Sequence, residues 1–240
     1  MTNLTADDRK RAAALKALDL IHDGMVVGLG TGSTAAHFVK GLGEKVKAGL
    51  KITGVATSLS AESLAIEAGI PLAGLDEVPH IDLTVDGADE ADRSFRLIKG
   101  GGAAHLREKI VAAASRRMVA ILDDSKLVAG LGRFPLPLEI VRFGCKTTMR
   151  HIADAAVAFG CGGNFTRLRG GEAHPVLTDN GNLVVDLDCQ SIPDPESFAQ
   201  HLADIPGVVE HGLFIGLCSM LIVGTTAGVE VIEPAPHTPE

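Results

Sequence analysis

The segment DGADEADRSFRLIKGGGAAHLREK, from Asp86 to Lys109, combines acids, a lysine and three consecutive glycines. It follows the apolar residues of 81–85, which predict a strand. A structural turn needs about one glycine and one Asp or Asn. Asp86 and Asp89, three positions apart, repel each other unless they share a proton, a cation or a ligand. The charged groups exceed what a turn requires, and a polar ligand site is therefore expected here.

Lys99 places a cation beside Gly100–Gly102, where the backbone can approach a ligand closely. Glu108 lies in the helix that should follow. Its neighbour one helical turn earlier is Ala104, which leaves room for a substrate. The alternative interpretation is that Glu108 is an ordinary solvent-exposed residue of this helix.

GLGTGST, residues 28–34, lies between a predicted strand and a predicted helix, where backbone N–H groups favour a phosphate. The dinucleotide fingerprint would need glycine at Ser33 and an acid near Val55–Thr57. A P-loop would need a Gly-Lys pair that is missing. The segment therefore predicts an anion site, and a tight turn capped by Ser33 or Thr34 is an equal alternative. Lys126, in DDSK at the end of another predicted strand, could add charge to a phosphate site or simply be exposed.

Composition excludes several classes of function. The net charge of −8 over 240 residues, with no Trp and no Tyr, disfavours a nucleic-acid surface. The apolar runs are shorter than the roughly 18–20 residues of a membrane span, and 1–11 lacks the apolar core of a secretory signal. The four cysteines form no C-x-x-C pair and the nine histidines no local metal motif. We expect a cytoplasmic protein with no metal and no membrane partner.

Short apolar strands alternate with helices in the first half of the chain. Thr5 and Asp8 predict a capping box, with Gly24 ending that helix. The remaining elements are strands at 25–29, 52–56, 81–85 and 118–122 and helices at 31–42, 61–68 and 102–115. This alternation predicts a largely parallel α/β sheet covered on both faces.

The pattern changes near Arg133–Pro137 to a small α+β unit of about 75 residues, with a hairpin turn at 179–181. Two apolar runs, at 220–224 and 229–232, could return to the first sheet as edge strands. We expect one domain from 1–132 and 208–240 and a second from 133–207, with a disordered tail from Pro234.

Seven motifs occur in one order: GxGTGST, DGADE, KGGGAA with REK, DxSK, FPLP, TDNGN and IPGVVE. In these motifs and their order the chain resembles ribose-5-phosphate isomerase, type A, and the resemblance extends from about residue 5 to about residue 232. The resemblance implies a Rossmann-like α/β domain with a smaller ferredoxin-like α+β domain. It also implies a sugar-phosphate substrate, no metal or other cofactor, and a homodimer or homotetramer.

The resemblance assigns roles to individual residues. Glu108, in REK, is the proton acceptor, assisted by Asp86, Asp89 and Lys99. The substrate-binding residues it implies are Thr31, Gly32, Ser33, Thr34, Asp86, Gly87, Ala88, Asp89, Lys99, Gly100, Gly101, Gly102, Lys126 and Lys10. The chain departs from the family pattern at His105, Leu106 and Ala56, and none of these departures removes a catalytic group.

The reaction that the family carries out explains the clustered charges. Aldose–ketose isomerisation moves a proton between C2 and C1 through an enediolate, which requires a carboxylate base such as Glu108. Lys99 and the glycine N–H groups could stabilise the developing oxyanion. Asp86 and Asp89 could assist ring opening, while a phosphate held by Ser33, Thr34 and Lys126 fixes the sugar in position.

Two other interpretations compete with this one. A sugar-phosphate sensor of similar fold should carry a DNA-binding helix-turn-helix and a basic face, but this acidic chain begins its first α/β unit near residue 5. Another sugar-phosphate isomerase or deaminase would differ in its substrate, for which ribose 5-phosphate and glucosamine 6-phosphate are the discriminating pair.

Overall fold

The computed structural model describes residues 4–234, and the tail expected to be disordered lies beyond that range except for Pro234. The helices within it are α1 (Ala6–Ala17), α2 (Ser33–Lys47), α3 (Leu59–Ala68), α4 (His105–Ala113), α5 (Cys145–Ala158) and α6 (Pro195–Ala203). The strands are β1 (Val26–Leu29), β2 (Thr53–Ala56), β3 (Leu83–Gly87), β4 (Glu90–Ala91), β5 (Leu97–Ile98), β6 (Met118–Asp123), β7 (Leu136–Ile140), β8 (Phe165–Leu168), β9 (Leu183–Asp188), β10 (Val208–His211), β11 (Leu213–Phe214), β12 (Cys218–Thr225) and β13 (Gly228–Ile232).

The predicted capping box opens α1. The Thr5 hydroxyl accepts from the backbone N–H of Asp8 at 3.1 Å, and the Asp8 carboxylate accepts from the N–H of Thr5 at 2.9 Å. The prediction that Gly24 ends this helix is wrong, because α1 stops at Ala17 and a single 3-10 turn follows. That turn buries Leu18 in the core, whereas Gly24 makes a separate turn before β1.

The large sheet has the strand order β13-β12-β6-β3-β1-β2. All neighbouring pairs are parallel except β12 with β13, and this confirms the predicted parallel α/β sheet. Of the two C-terminal runs expected at an edge, only β13 lies there, because β12 inserts between β6 and β13. β2 lies on one side of β1 and β3 lies on the other, so the strand order reverses at β1. Ligand sites in open α/β sheets form at the carboxyl ends of strands where the order reverses in this way.

The small sheet has the antiparallel order β10-β7-β9-β8, with α5 and α6 in the connections. The succession βαββαβ in this order is the ferredoxin-like arrangement that was predicted. β10 (Val208–His211) pairs with β7, so this sheet extends past the expected boundary at residue 207. The exact division into domains stays a prediction. The hairpin turn at 179–181 is present, closed by the N–H of Thr178 donating to the carbonyl of Asn182.

A third sheet, β11-β5-β4, was not predicted, because strands of two residues carry no readable hydrophobic period. It matters for the site, since Lys99 directly follows β5 and its backbone N–H donates to the carbonyl of Gly212 at 2.8 Å. This third sheet thus anchors Lys99 beside the end of β3. Within residues 4–234 no helix combines the length and the apolar character needed to cross a membrane.

Candidate active site

Lys99 lies between two buried carboxylates. Its Nζ is 3.1 Å from Oδ2 of Asp86 and 3.1 Å from Oε2 of Glu108, and it donates to the carbonyl of Gly87 at 2.6 Å. These three charged side chains are at most 5% exposed. Burying a charge is costly unless it is paired, and here one cation serves two acids. The cluster therefore has one negative charge too many unless a carboxyl group holds a proton.

The pKa values of the cluster follow from this imbalance. Burial, and then the neighbouring Asp86 carboxylate, raise the pKa of Glu108 to about 8, against the opposing effect of Lys99. Burial also raises the pKa of Asp86, although Lys99 and two backbone N–H groups act in the other direction. Burial alone would lower the pKa of Lys99, but the Asp86 and Glu108 carboxylates raise it above its ordinary value. The lysine stays charged at neutral pH, and both acids hold their protons to a higher pH than an ordinary carboxyl group does.

Asp86 joins the ends of β1 and β3. Its Oδ1 accepts from the backbone N–H of Thr31 at 3.0 Å and from that of Gly87 at 2.7 Å. A Cβ at Gly30 would lie 2.2 Å from the same oxygen, so only glycine fits there. The Thr31 hydroxyl lies 2.7 Å from that of Ser58, at the start of α3. Asp86 is thus held in place between the ends of β1 and β3.

The glycine loop forms a turn, and α4 begins at His105 instead of the predicted residue 102. Gly100 has φ +112° and Ala103 has φ +61°, and neither is compatible with a right-handed helix. The backbone N–H of Gly101 donates to Oδ2 of Asp89 at 2.8 Å. This bond fixes the Asp89 carboxylate against the loop and explains the second aspartate of the motif. Glu108 then falls in the first turn of α4.

Ser33, Lys10 and Lys126 supply hydroxyl and ammonium groups to the site. Ser33 opens α2 after Gly32, whose φ of +103° turns the chain into the helix. The Nζ of Lys10, on α1, donates to the Ser33 hydroxyl at 3.3 Å. Lys126 reaches the same cleft from the 3-10 turn after β6, with its Nζ 5.5 Å from the Phe134 ring centre. Lys10 at the N-terminus of α2, with Lys126 lining the same cleft, makes a candidate anion site.

One cleft brings nearly all of the predicted residues together. It is lined by Lys10, Thr31, Gly32, Ser33, Thr34, Gly87, Ala88, Asp89, Lys99, Gly100, Gly101, Gly102, Glu108, Asp123 and Lys126. Of the predicted set only Asp86 is not at the surface of the cleft, since it lies fully buried behind Lys99. Asp123 was not predicted. The only signal for it was its place at the end of β6, beside the other strand ends that form the site.

Two further buried polar residues lie near the cleft residues in the sequence. Glu90 is 3% exposed and accepts from the backbone N–H groups of Gly132 and Phe134 at 2.8 and 2.6 Å. His105, where the chain departs from the family pattern, is fully buried. Burial lowers its pKa to about 3, so the ring is neutral. Among residues 4–234 no group of three or more His, Cys, Asp or Glu could hold a metal ion.

Comparisons with known proteins agree in one family. The model of ribose 5-phosphate isomerase A (phosphoriboisomerase A) matches residues 53–228. The chain is 55% identical to ribose-5-phosphate isomerase A of Parvibaculum lavamentivorans over 230 residues, covering 96% of this chain and 100% of the relative. It is 53% identical to that of Methylorubrum extorquens over 233 residues, covering 95% and 99%.

Solved structures give the same result. A D-ribose-5-phosphate isomerase in complex with phospho-erythronic acid aligns with a TM-score of 0.87 at 42% identity, covering 95% of this chain and 99% of that one. Ribose 5-phosphate isomerase A of Methanocaldococcus jannaschii aligns with a TM-score of 0.88 at 39% identity, covering 95% and 100%. Because sequence and fold agree over nearly the whole chain, this protein belongs to the ribose-5-phosphate isomerase A family.

Proposed function

We propose that the protein interconverts D-ribose 5-phosphate and D-ribulose 5-phosphate, the aldose–ketose isomerisation of the non-oxidative pentose phosphate pathway. The observation that carries this proposal is the buried Lys99 with Asp86 and Glu108, each 3.1 Å away, beside a cleft that Lys99 and Glu108 line together with Lys10 and Lys126. Acid–base groups and an anion site in one cleft suit a phosphorylated sugar.

Glu108 is the base in this proposal. It takes the proton from C2 of the open-chain aldose and returns it to C1, which converts the aldehyde into the ketose through an enediolate. Its pKa, raised by burial, lies close to the pH of the cell. A base of this kind is more effective than an ordinary glutamate, because proton transfer is best when donor and acceptor pKa values approach each other.

Lys99 and the backbone N–H groups of the glycine loop stabilise the oxyanion at C1 or C2. Lys99 stays protonated beside its two acids, so a positive charge is in place before the substrate arrives. Asp89, at the surface of the cleft, assists ring opening and moves the hydroxyl proton between O1 and O2, while the buried Asp86 acts through Lys99. The phosphate rests on Ser33, Thr34, Lys10 and Lys126, which fixes the distance from C1 and C2 to Glu108.

The ligand of one relative supports the same assignment. Phospho-erythronic acid, bound in that solved isomerase, is a sugar acid phosphate. Its planar carboxylate resembles the planar, anionic enediolate of ribose 5-phosphate, and both molecules carry a phosphate at the other end. The cleft of this chain offers a cation and N–H donors for the first group and an anion site for the second.

Turnover is the direct test. Purified protein should convert ribose 5-phosphate into ribulose 5-phosphate and leave glucosamine 6-phosphate unchanged, and Glu108→Gln should abolish the signal, which excludes a contaminating isomerase. Tight binding of ribose 5-phosphate without turnover would instead indicate a sensor. Turnover of glucosamine 6-phosphate alone would indicate another enzyme of similar fold.

We also propose a cytoplasmic homodimer or homotetramer. The four cysteines are all free thiols within the described range, which fits a reducing compartment. Phe143 is 93% exposed and Phe165 is 66% exposed, both in the small unit, and large apolar side chains at such exposure are suited to a subunit contact. The mass in solution, measured by light scattering after size-exclusion chromatography, tests the assembly against a monomer of 24.9 kDa.

A further inference from the structure

Arg169 extends from the small unit to the glycine loop of the cleft. It follows the last residue of β8, and its NH1 donates to the carbonyl of Gly100 at 2.9 Å and to that of Gly101 at 3.1 Å. Its Nε and NH2 donate to the two carboxylate oxygens of Asp186, on β9. The residue lies about 70 positions from the loop it contacts, and no sequence motif pointed to it.

The contacts of Arg169 argue against a direct role in binding the substrate phosphate. Its charge is neutralised by a two-point pair with Asp186, and the Arg169 and Asp186 side chains are only 18% and 8% exposed. Arg169 is also absent from the residues that line the cleft. A guanidinium engaged in this way presents its free surface to the protein and not to a ligand.

Peptide geometry transmits these contacts to the donors in the cleft. In a trans peptide the carbonyl of one residue and the N–H of the next share a plane and point in opposite directions. Holding the Gly100 carbonyl therefore directs the Gly101 N–H away from Arg169, and it reaches Oδ2 of Asp89 at 2.8 Å. Holding the Gly101 carbonyl orients the Gly102 N–H in the same manner. Within the described chain no acceptor pairs with that Gly102 N–H, although Gly102 lines the cleft.

Glycine makes such a support necessary. Gly100 has a positive φ, and three glycines in succession can adopt many backbone conformations that a rigid loop must exclude. The Ala103 N–H donates to the Gly100 carbonyl at 3.0 Å, but no other backbone contact holds the Gly101 carbonyl within residues 4–234. Arg169 is thus the group that fixes the second peptide plane.

We infer that Arg169, held by Asp186, is a positioning residue that orients the Gly101 and Gly102 N–H groups, so that Gly102 N–H serves as an oxyanion donor and Asp89 stays in place. This inference rests on the isomerisation proposed above. It makes the small unit a part of the catalytic apparatus, although none of its side chains lines the cleft.

Arg169→Ala is the principal test, and Arg167→Ala is its matched control. Arg167 lies on β8, two residues before Arg169. Its side chain is 66% exposed, and its NH2 is 3.8 Å from a carboxylate oxygen of Asp186. The control removes one charge from the same place without touching the loop. We expect Arg169→Ala to lower kcat about 10- to 100-fold, since a misplacement of about 1 Å costs up to about 100-fold. KM for ribose 5-phosphate should change less than about threefold, and Arg167→Ala should behave like the parent.

Two readouts separate positioning from a merely structural role. Affinity for phospho-erythronic acid should fall in parallel with kcat, because that planar anion depends on the donors that the enediolate uses. Added methylguanidinium should restore part of the activity of Arg169→Ala and none of that of Glu108→Gln. If Arg169→Ala does not fold, Arg169→Lys and Asp186→Asn take its place, with smaller losses of kcat expected.

The outcomes are distinct. An active parent whose folded Arg169→Ala variant keeps the kcat and analogue affinity of Arg167→Ala overturns this inference and leaves the proposed function intact. The same holds if Arg169→Lys and Asp186→Asn both match the parent. A parent without isomerase activity overturns the proposed function, and this inference with it.

Discussion

Nζ of Lys99 lies 3.1 Å from Oε2 of Glu108, and the two side chains are 3% and 5% exposed. Asp86 is equally close to Lys99 on its other side, so that two acids compete for one cation. A carboxylate in this position is both near a positive charge and less acidic than usual, which a catalytic base requires.

Glu108→Gln should lower turnover of ribose 5-phosphate by at least about 10²–10⁴-fold, the usual contribution of a general base. The amide keeps the shape of the side chain but cannot accept a proton, so binding of the substrate, measured by calorimetry, should persist. Glu62→Gln, an exposed acid in the first turn of α3, is the control and should be silent. A folded Glu108→Gln enzyme within a few-fold of the parent rate would exclude Glu108 as the base.

The pH dependence of kcat/KM should show an acid limb above the ordinary glutamate value of 4.5, because burial and Asp86 raise the pKa of Glu108. The sign follows from the role of the residue. The base must be deprotonated to act, so activity rises as the pH rises through the raised pKa of the free enzyme. Initial rates at low substrate concentration between pH 4.5 and 9 measure this limb, and a midpoint at or below 4.5 would contradict the assignment.

Lys126→Ala should raise KM about tenfold or more and change kcat less, because hydrogen bonds to charged groups contribute about 1.5–3 kcal/mol. Lys126 lines the cleft together with Lys10 and Ser33, and it is not among the groups paired around Lys99. Lys40→Ala, an exposed lysine on α2, is the charge-matched control. The phosphate assignment fails if KM stays at the parent value or if unphosphorylated ribose reacts equally well.

Activity should be insensitive to metal removal. Lys99 occupies the place where a metal would polarise the carbonyl, and the carboxylates around it are already paired with its Nζ. Turnover after treatment with a chelator should equal that of an untreated sample carried through the same desalting step. Loss of activity that a divalent ion restores would show that a metal takes part.

Glu90→Gln should destabilise the protein without affecting the chemistry. The Glu90 carboxylate accepts two backbone N–H groups, from Gly132 and Phe134, and the amide can accept at only one of its two positions. Leaving one buried donor unpaired costs about 1–3 kcal/mol, which lowers the melting temperature by several degrees in a chain of this size. Turnover per folded molecule should match the parent, and exposed Glu67→Gln is the control.

Local signals in the sequence predicted the strand ends of the large sheet and several polar residues beside them, and the family resemblance supplied the rest of the cleft. Strand-to-helix turns with glycine, and acids after apolar runs, mark the carboxyl ends of parallel strands. Thr31 and Asp86, for instance, are 55 positions apart and meet because both lie at the carboxyl ends of the neighbouring parallel strands β1 and β3.

Features that depend on distant contacts were not predicted. Glu90 looks like a surface acid until Gly132 and Phe134 fold over it. Arg169 acquires its role only because the small sheet packs against the glycine loop. The start of α4 was misplaced because Ala103 adopts a left-handed backbone that its type does not favour.

Position 30 should accept no residue other than glycine. The Asp86 carboxylate occupies the volume in which any side chain at position 30 would grow. Every substitution there must displace the aspartate, with its bonds to Thr31 and Lys99, or fail to close the turn. In a saturation scan scored by enzyme activity, position 30 would thus tolerate substitution as poorly as position 108. Glycine nevertheless has no side chain with which to take part in the reaction.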